Sequence, residues 1–262
     1  MTAAEVQKRS TEEMNAAAFG LNRDVRRVMS FLRPHTVVGF KKIRTGADGD
    51  GGYVLLDDFR AIDTALSLGI DHNVTWDEDM AGRGMTILQY DHTVDAPRPE
   101  DPRMKFERKR IVATPQQDCE TIEALVERFD AGGARPNLLL KIDIENDEWP
   151  VFDAIDPAVL GRFTQIACEM HAFETLPDAA WRERTERVFR KLTEQHAVIH
   201  VHANNHGGIA NVANVMVPHV LEVTFALRSL YPMFGSDEIF PTALDMPCNP
   251  DEPDIFLGSF RF

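Results

Sequence analysis

Apolar residues change their spacing several times along the chain, and each change marks an element. From Ala3 to Leu32, Ala16, Ala17, Phe19, Val25, Val28, Met29 and Leu32 form a stripe, and Pro34 stops it, so a long helix is expected. Next, KKIRTGADGDGGYVLLDD (Lys41–Asp58) packs glycines and aspartates into a tight polar loop around a short strand, YVLL. Alternation then begins. Strands are expected at Ile62–Leu68, Met85–Tyr90, Arg108–Ala113, Leu138–Ile144, Phe163–Cys168, Ala197–His202 and Val220–Leu227. Helices are expected at Trp76–Gly82, Thr121–Phe129, Glu148–Ile155 and Ala180–Gln195.

Strands alternating with helices predict βαβ units and an α/β fold with a Rossmann-like, mainly parallel seven-stranded sheet and helices on both faces. The connection between the last two strands, Asn204–Gly208, is too short for a crossover helix, so these strands are expected to pair antiparallel. Residues 1–36 read as an N-terminal helical extension and 37–262 as one domain. Its tail, 232–262, rich in Pro, Asp and Phe, is expected to cover the sheet edge or the site.

Composition narrows the function classes. The chain has 262 residues, 44% of them hydrophobic, enough for a sizeable core. Lys and Arg number 28 against 42 Asp and Glu, a net charge of −14, and such a surface repels phosphate backbones. The basic run Arg103–Arg110 is too short to reverse that, so nucleic acid is not expected as a partner. Cys119, Cys168 and Cys248 are far apart and match no zinc or disulfide spacing. The first residues lack the apolar core of a signal peptide, and no apolar run is long enough to span a bilayer. A soluble cytoplasmic protein is expected; homo-oligomerisation stays open.

The chemistry concentrates at strand ends. NLLLKIDIENDEWP (Asn137–Pro150) is a strand buried on both faces that delivers Asp143 and Glu145 at its carboxyl end, where open α/β sheets bind ligands. Capping of the following helix is the alternative role for these acids. Gly69 ends the first strand and permits close approach of a ligand. Asp91 ends the second, where a carboxylate accepts hydrogen bonds from a ribose diol. No GxGxxG is present, which argues against an NAD-linked oxidoreductase. The fifth strand exits as ACEMHAF, placing Glu169 and His171 beside Asp143, a trio that suits a divalent metal or a general base. His202, Asn204 and Asn205, at the end of the sixth strand, fit a substrate-binding role, because planar amides match paired hydroxyls.

The ordered segments GDGGYVL (Gly49–Leu55), LSLGI…WDEDMA (Leu66–Ala81), YDHT (Tyr90–Thr93), LLLKIDIENDEWPVF (Leu138–Phe152) and CEMH (Cys168–His171) resemble the FkbM-like group of S-adenosylmethionine-dependent methyltransferases. The resemblance covers about residues 40–230, and KIDIE…EW carries most of its specificity. Asn146 departs from the glycine usual in that group, and a glycine-rich motif after the first strand is missing. The resemblance implies a class I methyltransferase fold, whose layout has one antiparallel end strand, with S-adenosylmethionine as cofactor and O-methylation of a sugar, polyol or natural product. It implies that Gly52, Tyr53, Ser67 and Gly69 lie near the cofactor and that Asp91 holds its ribose with His92 alongside. It also implies that Asp118 and Cys119 approach the adenine.

On this reading His171 is the base and Asp143 and Glu145 are its catalytic neighbours. Asp143, Glu169 and His171 are candidate ligands for Mg²⁺ or Mn²⁺. Two rivals stay open: a metal-dependent hydrolase built on the same cluster, and a cofactor-binding subunit without catalysis.

Overall fold

The computed structural model describes residues 3–96, 101–129, 133 and 135–262. Seven strands form the central sheet: β1 (Thr64–Leu68), β2 (Thr86–Tyr90), β3 (Met104–Glu107), β4 (Leu138–Ile142), β5 (Phe163–Met170), β6 (His196–Ala203) and β7 (Leu221–Leu227). Their order across the sheet is β6-β7-β5-β4-β1-β2-β3. β1 to β5 run parallel, and β7 runs antiparallel to both of its neighbours, β5 and β6. The fold is thus α/β with a mostly parallel seven-stranded sheet.

Six helices accompany it among the described residues: α1 (Ala3–Ser30), α2 (Thr75–Gly82), α3 (Ile122–Phe129), α4 (Glu148–Ala154), α5 (Pro157–Leu160) and α6 (Ala179–Gln195). Alternate residues of the strands enter two cores, as the pleat requires. Leu66, Leu68, Leu138, Leu140 and Ile142 pack on one face with α1, α3, α4 and α6. Ala65, Leu139 and Ala167 pack on the other against Trp76, Met80 and Ala81 of α2. There a β-hairpin, Lys42–Thr45 with Tyr53–Leu56, adds Tyr53 and Leu55, and Val37 and Tyr231 pack with Leu56, Ile199 and Ala226 in a smaller cluster. Both faces carry helices, but the second carries one helix and a hairpin.

One expected strand is displaced. The third sheet strand is Met104–Glu107, not Arg108–Ala113; Arg110–Ile111 instead pairs with Cys119–Glu120 in a separate two-stranded ladder. An edge strand has one free side and half-exposed faces, so it needs no apolar run to announce it. β6 and β7 are antiparallel as expected, but their connection contains a second hairpin, Ile209–Val212 with Val215–Pro218. The tail lies against the β6–β7 edge: Asp245 bonds His200, Asp254 bonds His202, and the Asn249 and Glu252 carbonyls accept from Asn205.

Candidate active site

The second face of the sheet turns polar toward its carboxyl edge. Gln89, Ser67, Lys141, Ala167, Thr224 and His200 are neighbours in register from β2 across to β6, and all are buried. Two residues further along, Glu169, Glu222 and His202 occupy paired positions on β5, β7 and β6. Charged groups buried side by side in this way carry a desolvation cost that packing does not require.

Beyond these strand ends lies a cavity of about 510 Å³, walled by Gly69, Asp71, Asn73, Asp91, His92 and Thr93 on one side. Asp50, Gly51, Lys141, Asp143, Ile144 and Glu145 wall it on the other. Gly69 has φ +75°, and a Cβ there would meet the Asp143 carbonyl at 1.6 Å. The glycine thus lets β1 and β4 converge at the cavity floor. Lys141 Nζ donates to the Gly69 carbonyl at 2.6 Å and fixes that turn. Asp91 fixes the next one: its Oδ2 accepts from the Ile70 and Asp71 amides, its Oδ1 from the Thr93 amide and hydroxyl. Burial works to raise its pKa, but these four bonds outweigh burial and hold the carboxyl below its ordinary range.

After β4 the chain turns through Glu145 and Asn146, at φ 57° and 78°. Asn is among the residues that tolerate this left-handed region best, so Asn146 can make the turn without a glycine. The turn aims Asp143 and Glu148 at His171. The His171 Nε2 lies 3.9 Å from Asp143 Oδ1, 3.7 Å from Glu145 Oε2 and 3.8 Å from Glu169 Oε1. Its Nδ1 lies 3.3 Å from Glu148 Oε1. Burial alone would lower the His171 pKa, yet Glu148, Asp143 and Glu145 outweigh it and the value rises. Burial pushes Asp143 up to about 7, against the pull of Lys141 and His171. Burial, reinforced by Asp143 and Glu222, drives Glu169 well above the usual carboxylate range. Trp149 Nε1 donates to the His171 carbonyl at 3.0 Å and packs edge-on against Phe173, Trp181 and Phe189, anchoring the residue.

The expected residues divide accordingly. Gly69, Asp91, His92, Asp143 and Glu145 line the cavity. Glu169 and His171 stand behind Asp143, within contact of it or of one another but outside the lining. Ser67 and Tyr53 are buried beneath the floor, and the Tyr53 hydroxyl has no hydrogen-bond partner. Gly52 backs onto Ala47 and Arg44, while its neighbour Gly51 reaches the cavity. Asp118 lies in the turn leading to the Cys119–Glu120 strand, Cys119 begins that strand, and neither lines the cavity. His202 bonds Glu222 at 2.7 Å and Asp254 at 3.1 Å. Asn204 donates to Glu169 Oε1 at 2.8 Å, and Asn205 holds the tail.

Sequence reasoning missed Lys141, Glu148, Glu222 and Asp50. Lys141 and Glu222 had a visible signal: each is a lone charge inside an apolar strand, in LLLKI and LEVTF. No protein-family model matches the chain, and no curated protein matches it.

Proposed function

We propose that the protein is an S-adenosylmethionine-dependent O-methyltransferase acting on a hydroxyl of a sugar or another polyol. One observation carries the reading. A single cavity at the carboxyl ends of β1, β2 and β4 has the Gly69–Asp91 junction on one side and Asp143 on the other. The strand order, with only β7 reversed, is that of class I methyltransferases. The volume falls within the roughly 300–1,000 Å³ of small-molecule pockets.

The residues fit the cofactor. Asp91 has four donors around two oxygens, and one of them, the Thr93 hydroxyl, can rotate away to admit a ribose hydroxyl. Asp71, Asn73 and His92 add polar groups on that side. Bound there, S-adenosylmethionine supplies a methyl group on a positively charged sulfur. Asp50 and Glu145 put negative charge on the facing wall, which favours a cationic donor over its neutral product; the lining cations Lys109 and Arg110 are paired with Glu107, Glu120 and Asp147.

The acceptor hydroxyl is a poor nucleophile until it loses its proton. Asp143 lines the cavity, and its buried, unpartnered Oδ1 lies 3.9 Å from His171 Nε2. Asp143 takes the proton from the acceptor side, and His171 shares it behind. Glu145, Glu148 and Glu169 surround the imidazole and stabilise its charged form.

A second reading, a metal-dependent hydrolase, draws on the closeness of Asp143, Glu148 and His171, whose donor atoms lie within 4.8 Å of one another. It gives the Gly69–Asp91 side of the cavity no ligand. The two separate by methyl-labelled S-adenosylmethionine incubated with a panel of sugars and polyols. Label is expected on an acceptor oxygen, and His171→Ala should slow its transfer by about 10²–10⁴. No label on any oxygen of the panel, or transfer that His171→Ala leaves unchanged, would overturn the assignment as stated.

A further inference from the structure

We infer that Asp143, Glu148 and His171 form a binding site for one divalent transition-metal ion, in the range from Mn²⁺ to Zn²⁺. The three come from different elements: the end of β4, the first turn of α4 and the residue after β5. Their donor atoms all lie within 4.8 Å of one another. Glu148 is 0% exposed, and its Oε2 has no hydrogen-bond partner. Asp143 Oδ1 is likewise buried without one, and His171 Nδ1, 3.3 Å from Glu148 Oε1, makes no well-directed hydrogen bond. Leaving such a group unsatisfied is costly, most of all when it is charged. Two buried carboxylates, each with an oxygen left without a partner, beside one imidazole are therefore not a packing solution.

The neighbouring cations do not fill the role. Lys141 Nζ is directed to the Gly69 carbonyl, and Arg110 pairs with Asp147. Among the described residues, His171 is the only basic side chain in an ion pair with Asp143 or Glu148.

The ligands are also held in place. Glu148 Oε1 accepts from the Ile144 amide at 2.7 Å, which leaves Oε2 for an ion. The Trp149 bond to the His171 carbonyl fixes the third ligand. Two carboxylates with one imidazole suit Mn²⁺, Fe²⁺, Co²⁺ or Zn²⁺ better than Mg²⁺, which takes oxygen ligands and keeps its water. The fully buried Glu148 thus takes the place that spacing along the sequence assigned to Glu169. The ion takes His171 as the neutral imidazole and so replaces the proton held there in the metal-free chain. The site stands on its own geometry; only its role, lowering the pKa of an acceptor hydroxyl in place of proton transfer to Asp143 and His171, rests on the methyltransferase reading.

Mn²⁺ titrated into the purified, metal-stripped full chain, with free Mn²⁺ followed by electron paramagnetic resonance, tests the site. One Mn²⁺ should bind per chain, and Zn²⁺ should displace it. Asp143→Asn and Glu148→Gln should each weaken binding by roughly tenfold or more, while Asp251→Asn, on the surface, should not. If Glu148→Gln does not fold, Asp143→Asn at the cavity margin still decides. No Mn²⁺ binding, or binding that Asp143→Asn leaves unchanged, overturns the site. S-adenosylhomocysteine titrated without metal separates the two claims. Mn²⁺ binding without nucleoside binding keeps the ion site and removes the methyltransferase, and the reverse result removes the ion site alone.

Discussion

At the scale of single residues, the site is held together by Gly69. Its positive φ and the 1.6 Å approach of the Asp143 carbonyl to a Cβ leave no room for any side chain. Gly69→Ala should therefore push β1 and β4 apart at the cavity floor and cost on the order of 3 kcal/mol or more in urea unfolding. A substitution tolerated within a few tenths of a kcal/mol would contradict the packing described. Gly69, Asp91 and Asp143 were all legible in the sequence, because each ends an apolar run and strand ends are where ligands meet a parallel sheet. The reason for Gly69 was not legible: the close approach is to another strand, a long-range contact that no local pattern encodes. The same holds for Glu148. Along the sequence it reads as a first-turn acid suited to the helix dipole; only the left-handed turn at Glu145 and Asn146 brings it to His171.

At the scale of elements, the tail and β6 form a titratable clasp. Lys42 Nζ lies 3.2 Å from His200 Nδ1, and Asp245 accepts from His200 Nε2 at 2.6 Å. Since a lysine only donates, His200 Nδ1 is the acceptor and the proton is on Nε2. His202 is held between Glu222 and Asp254. Burial, the largest influence, would lower the His202 pKa, but Glu222, Asp245 and Asp254 together raise it from 6.5 to about 9. A folded value above the unfolded one means the stabilisation is fully present below pH 6.5 and disappears as pH rises through about 9. Thermal unfolding should show a loss on the order of 1–3 kcal/mol across that window, and His202→Gln should remove the loss. An unchanged slope in the variant would place the effect elsewhere. His202 was legible at the end of its strand, though as a substrate-binding residue and not as part of this clasp. The tail partners were not, because Asp245 and Asp254 are more than forty residues away in an irregular segment. Helices with clear apolar stripes, α3 and α6, fell close to their expected bounds, whereas β3 was displaced because an edge strand need not be apolar.

At the scale of the whole molecule, the acidity of the chain has a location. A net charge of −14 argues against a polyanionic partner, and Asp50, Glu145 and Glu222 bring part of it to one edge of the sheet, beside the carboxyl groups of Asp143 and Glu169. That edge suits a cationic ligand: a sulfonium in the cavity, and a divalent ion behind its wall. Among the described residues no helix is long and apolar enough to cross a membrane. The most direct measurement is calorimetric titration of the purified chain with S-adenosylhomocysteine, alongside Asp91→Ala. Binding in the micromolar range is expected for the native chain, with a loss of at least about tenfold in the variant. No binding by the native chain, with its fold intact by circular dichroism, would contradict the assignment of the Gly69–Asp91 cavity to a nucleoside cofactor.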